Sequence, residues 1–172
     1  TGHMILVEQF LHMSTSHEFN SMFRVVIQLG AILAVVVLYF PKLWPFCSPR
    51  DGWIKKDTWI LWFKVLVAAL PAAIIGLPFD DLLDKLFYNY QTVAVTLILY
   101  GVLFIVVENY NKNRRPRTRK LEALPWSTAL LIGVFQVLAL IPGTSRSGST
   151  ILGAILLGCS RSVAAEFSFF LS

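Results

Sequence analysis

Residues 142–150 read PGTSRSGST and lie between two apolar runs, 129–141 and 151–158. A charged, hydroxyl-rich stretch therefore interrupts a region whose hydropathy is typical of a membrane protein. Placing an arginine at bilayer depth costs roughly 2.5–3.5 kcal/mol, so such a residue normally faces a protein-lined cavity and a partner of opposite charge. No carboxylate lies near Arg146 in the sequence, which makes a bound anion its natural partner.

The composition of the whole chain agrees with a membrane location. Of its 172 residues, 56% are hydrophobic and 15% are charged. Apolar stretches long enough to span, or nearly span, about 30 Å of hydrocarbon cover residues 23–40, 58–77, 92–107 and the interrupted region 126–158, and a further one begins near 163. We therefore predict an all-α integral membrane protein, a polytopic helical bundle forming one domain over residues 1–172, in which the broken region is re-entrant.

The two ends and the two cysteines add little to this prediction. The chain begins at Thr1 rather than at a methionine and ends inside an apolar run, so we expect it to be a fragment. No signal peptide is recognisable. Cys47 and Cys159 lie in unrelated contexts without metal-type spacing, and we interpret both as ordinary small residues.

Charge placement predicts the orientation of the bundle. The loop 108–125 is short and strongly basic, which is typical of loops that stay cytoplasmic. Its basic residues are Lys112, Arg114, Arg115, Arg117, Arg119 and Lys120. The acidic loop around Asp80, Asp81 and Asp84 would then lie outside. Basic runs can also bind anionic lipid or RNA, but aromatic residues are not interleaved with this patch, which argues against nucleic acid.

Breaking and small residues in the 142–150 stretch predict a turn. Pro142 ends the preceding helix, and Gly143 and Gly148 allow backbone N–H groups to point into a cavity. A helix restarting near Thr150 would direct its positive dipole end to the same place. The guanidinium of Arg146 and several hydroxyls complete the composition of a phosphate cradle, the hydroxyls being those of Ser145, Ser147, Ser149 and Thr150. The alternative is a polar linker whose arginine reaches lipid headgroups.

Several further polar residues are candidates for the site. Gln136, shortly before Pro142, is either a helix-packing amide or a site-lining group. Glu166 is a carboxylate in an apolar run, and such residues are functional candidates by default. Arg24 and Gln28 lie one turn apart on the first span and could pair with Glu166 inside the bundle.

The histidines and one lysine leave alternatives open. His3 could act as a nucleophile or as a general acid or base, because imidazole titrates near neutral pH. A histidine so close to a chain end is more often a solvated side chain. We assign His12 and His17 to a solvated loop. Lys64, inside the second span, either snorkels or faces a polar interior.

The start of the chain echoes the polar loop. Residues 1–4 read TGHM and precede the span at 23–29, whereas residues 147–150 read SGST and precede the span at 165–171. Two such copies, each with a broken hydrophobic segment, are typical of internally repeated membrane folds whose binding site lies where the half-helices meet. We therefore predict an inverted internal repeat that brings residues 1–4 close to 145–150.

Five segments together resemble the bacterial undecaprenyl-pyrophosphate phosphatase family. They are TGHM (1–4), FRVVIQLGAILAVVV (23–37), GVFQVLAL (133–140), PGTSRSGST (142–150) and AAEFSFFL (164–171). The resemblance implies a multi-pass hydrolase of the bacterial inner membrane. Such an enzyme removes one phosphate from the C55 isoprenoid pyrophosphate and regenerates the monophosphate carrier for peptidoglycan synthesis, cell wall biogenesis and cell shape. The resemblance also implies a role in antibiotic resistance, because removing the pyrophosphate removes the target of bacitracin.

The resemblance also implies roles for individual residues. His3 and Arg146 match catalytic positions: His3 or a neighbouring hydroxyl attacks, or relays a proton, at the distal phosphorus, and Arg146 stabilises charge on the equatorial oxygens. The residues implied to bind the substrate phosphate are Thr1, Gly143, Ser145, Ser147, Gly148 and Thr150. The family's acidic motif, with two glutamates, is expected upstream of Thr1, where it would hold Mg²⁺ or Ca²⁺ against the pyrophosphate. Without that motif and the C-terminal spans, we expect the 172-residue piece to be inactive alone.

Two other functions fit parts of the pattern. A transporter or lipid flippase is the main alternative, since broken helices in inverted repeats are also a transporter architecture. A non-catalytic scaffold that holds anionic lipid at the basic loop comes third. The expected partners are a polyprenyl pyrophosphate and membrane lipids, with no nucleic acid, and the sequence leaves homo-oligomerisation open.

Overall fold

The computed structural model describes residues 17–44, 56–87 and 89–171, without the side chains at 17, 20, 21, 24, 43 and 80–84. The elements in these ranges are the helices α1 (His17–Leu43), α2 (Lys56–Phe87), α3 (Tyr90–Asn111), α4 (Trp126–Val137), α5 (Arg146–Leu156) and α6 (Arg161–Leu171). A 3-10 turn, Leu138–Leu140, follows α4 directly. The predicted all-α fold is confirmed, because the described residues contain no strand beyond one isolated bridge between Thr118 and Cys159.

Three of the helices are long and apolar enough to cross a membrane. Their apolar windows, Val25–Lys42, Lys56–Phe79 and Tyr90–Asn111, have mean hydropathies of 2.1, 2.2 and 2.1. The 22 residues of α3 rise about 33 Å, slightly more than the hydrocarbon thickness. Each helix extends past the apolar stretch read from the sequence. As a result His17, which we predicted to lie in a loop, is the first residue of α1.

The region 126–158 folds as a helical hairpin. A Cβ on Gly133 would lie 2.1 Å from Ala68 O, and one on Gly76 would lie 3.1 Å from a Leu140 methyl, so α4 runs beside α2 in the same direction. A Cβ on Gly153 would lie 2.5 Å from the Phe135 ring, which places α5 antiparallel to α4. At about 24 Å for residues 126–140 and about 16 Å for α5, neither arm spans the hydrocarbon alone.

Both arms of the hairpin meet the basic loop. Lys64 Nζ donates to Glu122 O at 3.2 Å and lies 5.8 Å from the centroid of the Trp126 ring, at the start of α4. With 4% exposure, Lys64 faces the protein interior rather than snorkelling. At the other arm, Arg117 N donates to Gly158 O at 2.8 Å. The hairpin therefore starts and ends at one loop, which is the geometry of a re-entrant segment.

The buried core holds the hairpin in place. Ala129 and Ile132 of α4, Leu152 and Ala154 of α5 and Phe167 of α6 have exposures of 0–5%. These side chains belong to one apolar cluster that also includes Ala68 of α2. The turn between α4 and α5 is therefore supported by helices whose apolar side chains are buried together.

Candidate functional site

The turn between the arms is shorter than the sequence predicted. It covers residues 141–145, and α5 begins at Arg146 rather than near Thr150. The reason is the N-cap: Ser145 has extended backbone angles, and its Oγ accepts a hydrogen bond from Gly148 N at 3.2 Å, which satisfies an amide of the first helical turn. The first intrahelical bond, Ser149 N to Ser145 O, is 2.9 Å.

The turn is fixed against α3. Gly143 has φ +90, and a Cβ there would lie 2.2 Å from Thr96 Oγ1 and 2.8 Å from Val93 Cα, so glycine is required at this position. Thr96 Oγ1 also donates to Pro142 O at 3.1 Å. Thr96 follows the start of α3 by about two turns, whereas α3 ends beside the basic loop. The turn and the basic loop therefore lie at opposite ends of the hairpin.

Sequence reasoning missed Thr96. The available signal was a pair of threonines, Thr92 and Thr96, one turn apart in an otherwise apolar span. Threonine hydroxyls in a helix often bond to a carbonyl of the preceding turn, and Thr96 Oγ1 does donate to Thr92 O at 2.9 Å. The pair therefore does not by itself indicate a contact outside the helix. Its contact with Pro142, 46 residues away, depends on the tertiary fold.

The exposed face of the turn carries the groups suited to an anion. The side chains of Ser145 and Arg146 are exposed and that of Ser147 is half-buried, and the Ser145 and Ser147 hydroxyls are 3.3 Å apart. The first-turn amides of α5 precede its first intrahelical bond and lie at the positive end of the helix dipole. A guanidinium, two hydroxyls and a helix N-terminus thus share one surface, as phosphate recognition requires.

Ser149 and Thr150 follow Arg146 by about one helical turn and are buried against the protein. Each is 1% exposed, and both hydroxyls donate to the carbonyl of Arg146, at 2.9 and 3.1 Å. Gly148 is also buried, and a Cβ there would lie 3.0 Å from Ser145 Cβ and 3.4 Å from the Phe104 ring. Direct phosphate contacts by Gly148 and Thr150 stay predictions, whereas their described contacts hold the helix start in position.

Two buried or half-buried polar residues, Gln136 before the turn and Thr144 within it, bring polar atoms to this part of the structure. Gln136 is 8% exposed, and its Oε1 has no hydrogen-bond partner among the described residues. Thr144 is half-buried and neighbours the Tyr100 hydroxyl. The amide oxygen of Gln136 is therefore an available acceptor, between one and two helical turns before residue 141. A role for Gln136 in lining the site stays a prediction.

Glu166 pairs with a different residue from those predicted. Its Oε1 accepts from Lys42 Nζ at 2.8 Å, at the end of α1. Gln28 is exposed, and Arg24 is 18 residues before Lys42, about 27 Å along the helix; the Arg24 side chain lies outside the described residues. Lys42 O accepts from Thr58 Oγ1 at 3.5 Å, near the start of α2. Glu166 therefore belongs to the basic-loop end of the molecule.

The first half of the predicted site lies outside the described residues. Thr1, His3 and the rest of the 1–4 segment fall there, as do His12 and Cys47. The predicted proximity of residues 1–4 to 145–150, and with it the internal repeat, stays a prediction. Among the residues that are described, no three His, Cys, Asp or Glu side chains come together as metal ligands.

These features define a polytopic helical membrane protein whose re-entrant hairpin presents an arginine and hydroxyls at a helix N-terminus. Comparison with known proteins agrees with that class. The family model described as bacitracin resistance protein BacA matches residues 1–172, and the chain belongs to that family.

Relatives named undecaprenyl-diphosphatase match the chain along its length. The protein from Acetivibrio thermocellus is 67% identical over 172 residues, which is 100% of this chain and 63% of the relative. The protein from Enterococcus faecalis is 63% identical over 171 residues, 99% of this chain and 62% of the relative. The chain thus spans less than two thirds of the length of these relatives.

Proposed function

We propose that the chain is part of an enzyme that hydrolyses undecaprenyl pyrophosphate to undecaprenyl phosphate. The distal P–O bond of the anhydride breaks, water supplies the oxygen, and inorganic phosphate leaves. The observation that carries the proposal is Arg146, exposed on the first residue of α5 beside Ser145 and Ser147. The relatives named undecaprenyl-diphosphatase support this substrate.

The turn would act mainly by electrostatics. In phosphoryl transfer, charge spreads over the equatorial oxygens of the transferred group, and catalysis consists largely of positioning and charge stabilisation. The Arg146 guanidinium offers a fork that matches two phosphate oxygens, and the amides at the start of α5 add fixed donors. Because the turn is fixed on α3 through Thr96 and Gly143, these donors need little reorganisation during the reaction.

The orientation follows from the same geometry. A basic loop on the cytoplasmic side of the bacterial plasma membrane would place the turn about two helical turns below the opposite, extracytoplasmic surface, since the turn contacts the start of α3. At that depth the pyrophosphate group of the lipid could reach the turn while its prenyl chain stays in the hydrocarbon. The proposal therefore places the reaction on the outer side of the membrane.

A divalent cation, Mg²⁺ or Ca²⁺, is part of the proposal as the family resemblance implies it. Such ions prefer carboxylate oxygens, and the described residues around the turn supply hydroxyls, an amide and a guanidinium. They do not fit the ion on their own, so no step is assigned to it. The nucleophile, whether His3, a serine or water, also stays a prediction.

The test uses a chimera in which residues 1–172 replace the matching segment of the Acetivibrio thermocellus relative, which is 67% identical over that length. Arg146→Ala should lower phosphate release from a prenyl pyrophosphate about a hundred- to a thousand-fold, the effect of losing one transition-state charge contact. Arg146→Lys should also lower it strongly, because lysine lacks the bidentate fork. Arg119→Ala, which removes an exposed arginine from the basic loop, should leave release near normal.

His3→Ala in the same chimera tests the first half of the site, with His12→Ala and His17→Ala as matched controls. Release should collapse only in the His3 variant. Protein yield and the thermal unfolding midpoint are checked for every variant, so that misfolding is not taken for lost chemistry. Near-normal release by well-folded Arg146→Ala protein would remove the central residue of the mechanism, whereas no release by the well-folded, unmutated chimera would favour the transporter alternative.

A further inference from the structure

A second group of arginines surrounds a cavity at the basic-loop end of the hairpin. The cavity has a volume of about 240 Å³, and its wall includes Arg114, Arg115, Arg117 and Arg161. None of the described residues that line it is acidic. Like charges gathered around one cavity repel each other, so the arrangement favours an anion within it.

The loop that carries these arginines is held by backbone bonds. Arg117 N and Thr118 N donate to Gly158 O at 2.8 and 3.2 Å, and Ser160 N donates to Thr118 O at 2.8 Å. Gly158 has φ +89, and the aliphatic carbons of Arg117 lie 3.5–3.7 Å from the place a Cβ would take there. The backbone that carries Arg117 is thus fixed, and an ordered backbone lowers the entropy cost of binding.

Two of the four arginines already have partners. Arg161 Nε donates to both carboxylate oxygens of Glu108, at 2.9 and 3.2 Å, and this pairing raises the pKa of Arg161 above its usual value. The Arg114 guanidinium stacks 3.9 Å from the centroid of the Tyr110 ring. Arg115 and Arg117 are exposed, and within the described part of the chain their side chains form no ion pair. They are the pair available to a ligand.

Helix capping does not account for these arginines. Three of the last four carbonyls of α5 are satisfied by backbone amides, since Gly153 O, Ala154 O and Ile155 O accept from residues 157, 159 and 158 at 3.0 Å each. Arginines near a helix C-terminus often bind such carbonyls. Here backbone amides already meet most of that need, so the Arg115 and Arg117 guanidiniums are available to another acceptor.

The cavity also has an apolar wall. Ile155, Leu156 and Leu157 line it beside the arginines, and Leu156 is 48% exposed. Ser160 lines the cavity at the start of α6, where the helix dipole is positive. A phosphate group attached to a hydrocarbon chain matches both walls, with its oxygens on the guanidiniums and its chain along the leucines.

We propose that this cavity binds the phosphate group of a membrane lipid, as a site separate from the turn at 141–145. The two sites lie at opposite ends of α5, whose 11 residues rise about 16 Å. Free inorganic phosphate offers the same oxygens without the chain. The proposal does not depend on the hydrolase activity, because it concerns binding at the other end of the hairpin.

The experiment titrates the detergent-solubilised chimera with short-chain phosphatidylglycerol, inorganic phosphate or phosphatidylcholine at constant ionic strength. The apparent Kd is read from the shift of the thermal unfolding midpoint. Arg115→Gln with Arg117→Gln should weaken phosphatidylglycerol binding at least about tenfold, since hydrogen bonds to charged groups are lost. Lys112→Gln with Arg119→Gln removes the same charge from the same loop, outside the cavity wall, and should weaken it less than about twofold.

Each outcome decides the proposal. Equal losses in the two double variants would mean diffuse attraction by the whole loop. Equal affinity for phosphatidylcholine, in which a choline cation neutralises the phosphate, would mean that the arginines do not select an anionic headgroup. Either result would overturn the proposal. Inorganic phosphate bound as tightly as the lipid, with the same dependence on Arg115 and Arg117, would overturn the lipid as the source and retain a phosphate site. Unfolding midpoints without ligand report on folding, and Arg115→Lys with Arg117→Lys, which keeps the charge, should bind between the wild type and the glutamine variant.

Discussion

Alanine at position 133 would disturb the closest backbone contact between α4 and α2. Gly133 lies against Ala68, where an added Cβ would be 2.1 Å from the carbonyl oxygen and 2.8 Å from Cα. Both atoms belong to the backbone, so no rotamer change can relieve the overlap. The helices must move apart, and the hairpin that carries Arg146 must move with α4.

The size of the effect follows from that distance. A carbon atom normally approaches a carbonyl oxygen to about 3.3 Å. The added Cβ would be 2.1 Å from the oxygen, so the backbones must separate by about 1.2 Å. Overpacking of this kind typically costs about 1–3 kcal/mol. Alanine within a helix is also roughly 0.5–1 kcal/mol more stabilising than glycine. This gain partly offsets the loss of stability from overpacking when Gly133→Ala is measured alone.

Gly101→Ala is the matched control, because it has the same gain in helix propensity and no atom within 4 Å of the added Cβ. The difference between the two variants should therefore report the overlap alone. At roughly 2–4 °C per kcal/mol, Gly133→Ala should unfold about 2–12 °C below Gly101→Ala in a thermal scan of the chimera. Phosphate release should fall in the same variant. Equal midpoints and equal release would show that the hairpin does not depend on this contact.

Two further predictions concern the turn and the thiol. Gly143→Ala forces a side chain into φ +90 and against Thr96, so phosphate release should fall more than about tenfold, whereas Gly30→Ala, with open space around it, should have no such effect. Burial raises the pKa of Cys159 from 9.0 to about 11; the folded protein therefore retains a proton that the unfolded chain loses. Relative to Cys159→Ala, the wild type should lose about 2–3 kcal/mol of stability as the pH rises from about 9 to about 11. Parallel curves of unfolding midpoint against pH would contradict this.

The helical elements could be predicted because they depend on local properties. Three apolar runs of membrane-spanning length, and a proline with glycines interrupting the next one, suffice to indicate the long helices and the broken region. The start of α5, which the sequence predicts near Thr150, lies four residues earlier, at Arg146. Gly148, which the sequence predicts to belong to the turn, lies within the first turn of α5, where an added Cβ would be 3.0 Å from Ser145 Cβ.

The tertiary pairings could not be predicted from one sequence. Glu166 pairs with Lys42, 124 residues away, and nothing in the local pattern distinguishes Lys42 from Arg24 as its partner. The arginine cavity likewise depends on the bonds between Thr118 and Ser160, which join a loop to the start of a helix. Hydropathy and charge placed these residues near a membrane surface without showing which of them meet.

The length of α5, 11 residues, fixes both the distance and the rotation between its two ends. Both of its ends are anchored, one through the turn on α3 and the other through Gly158 on the basic loop. One inserted residue would rotate Arg146 by about 100° relative to Gly158 and lengthen the helix by about 1.5 Å. Length change within α5 is therefore restricted from both sides, and variation in length in this part of the chain has room only outside those two anchors.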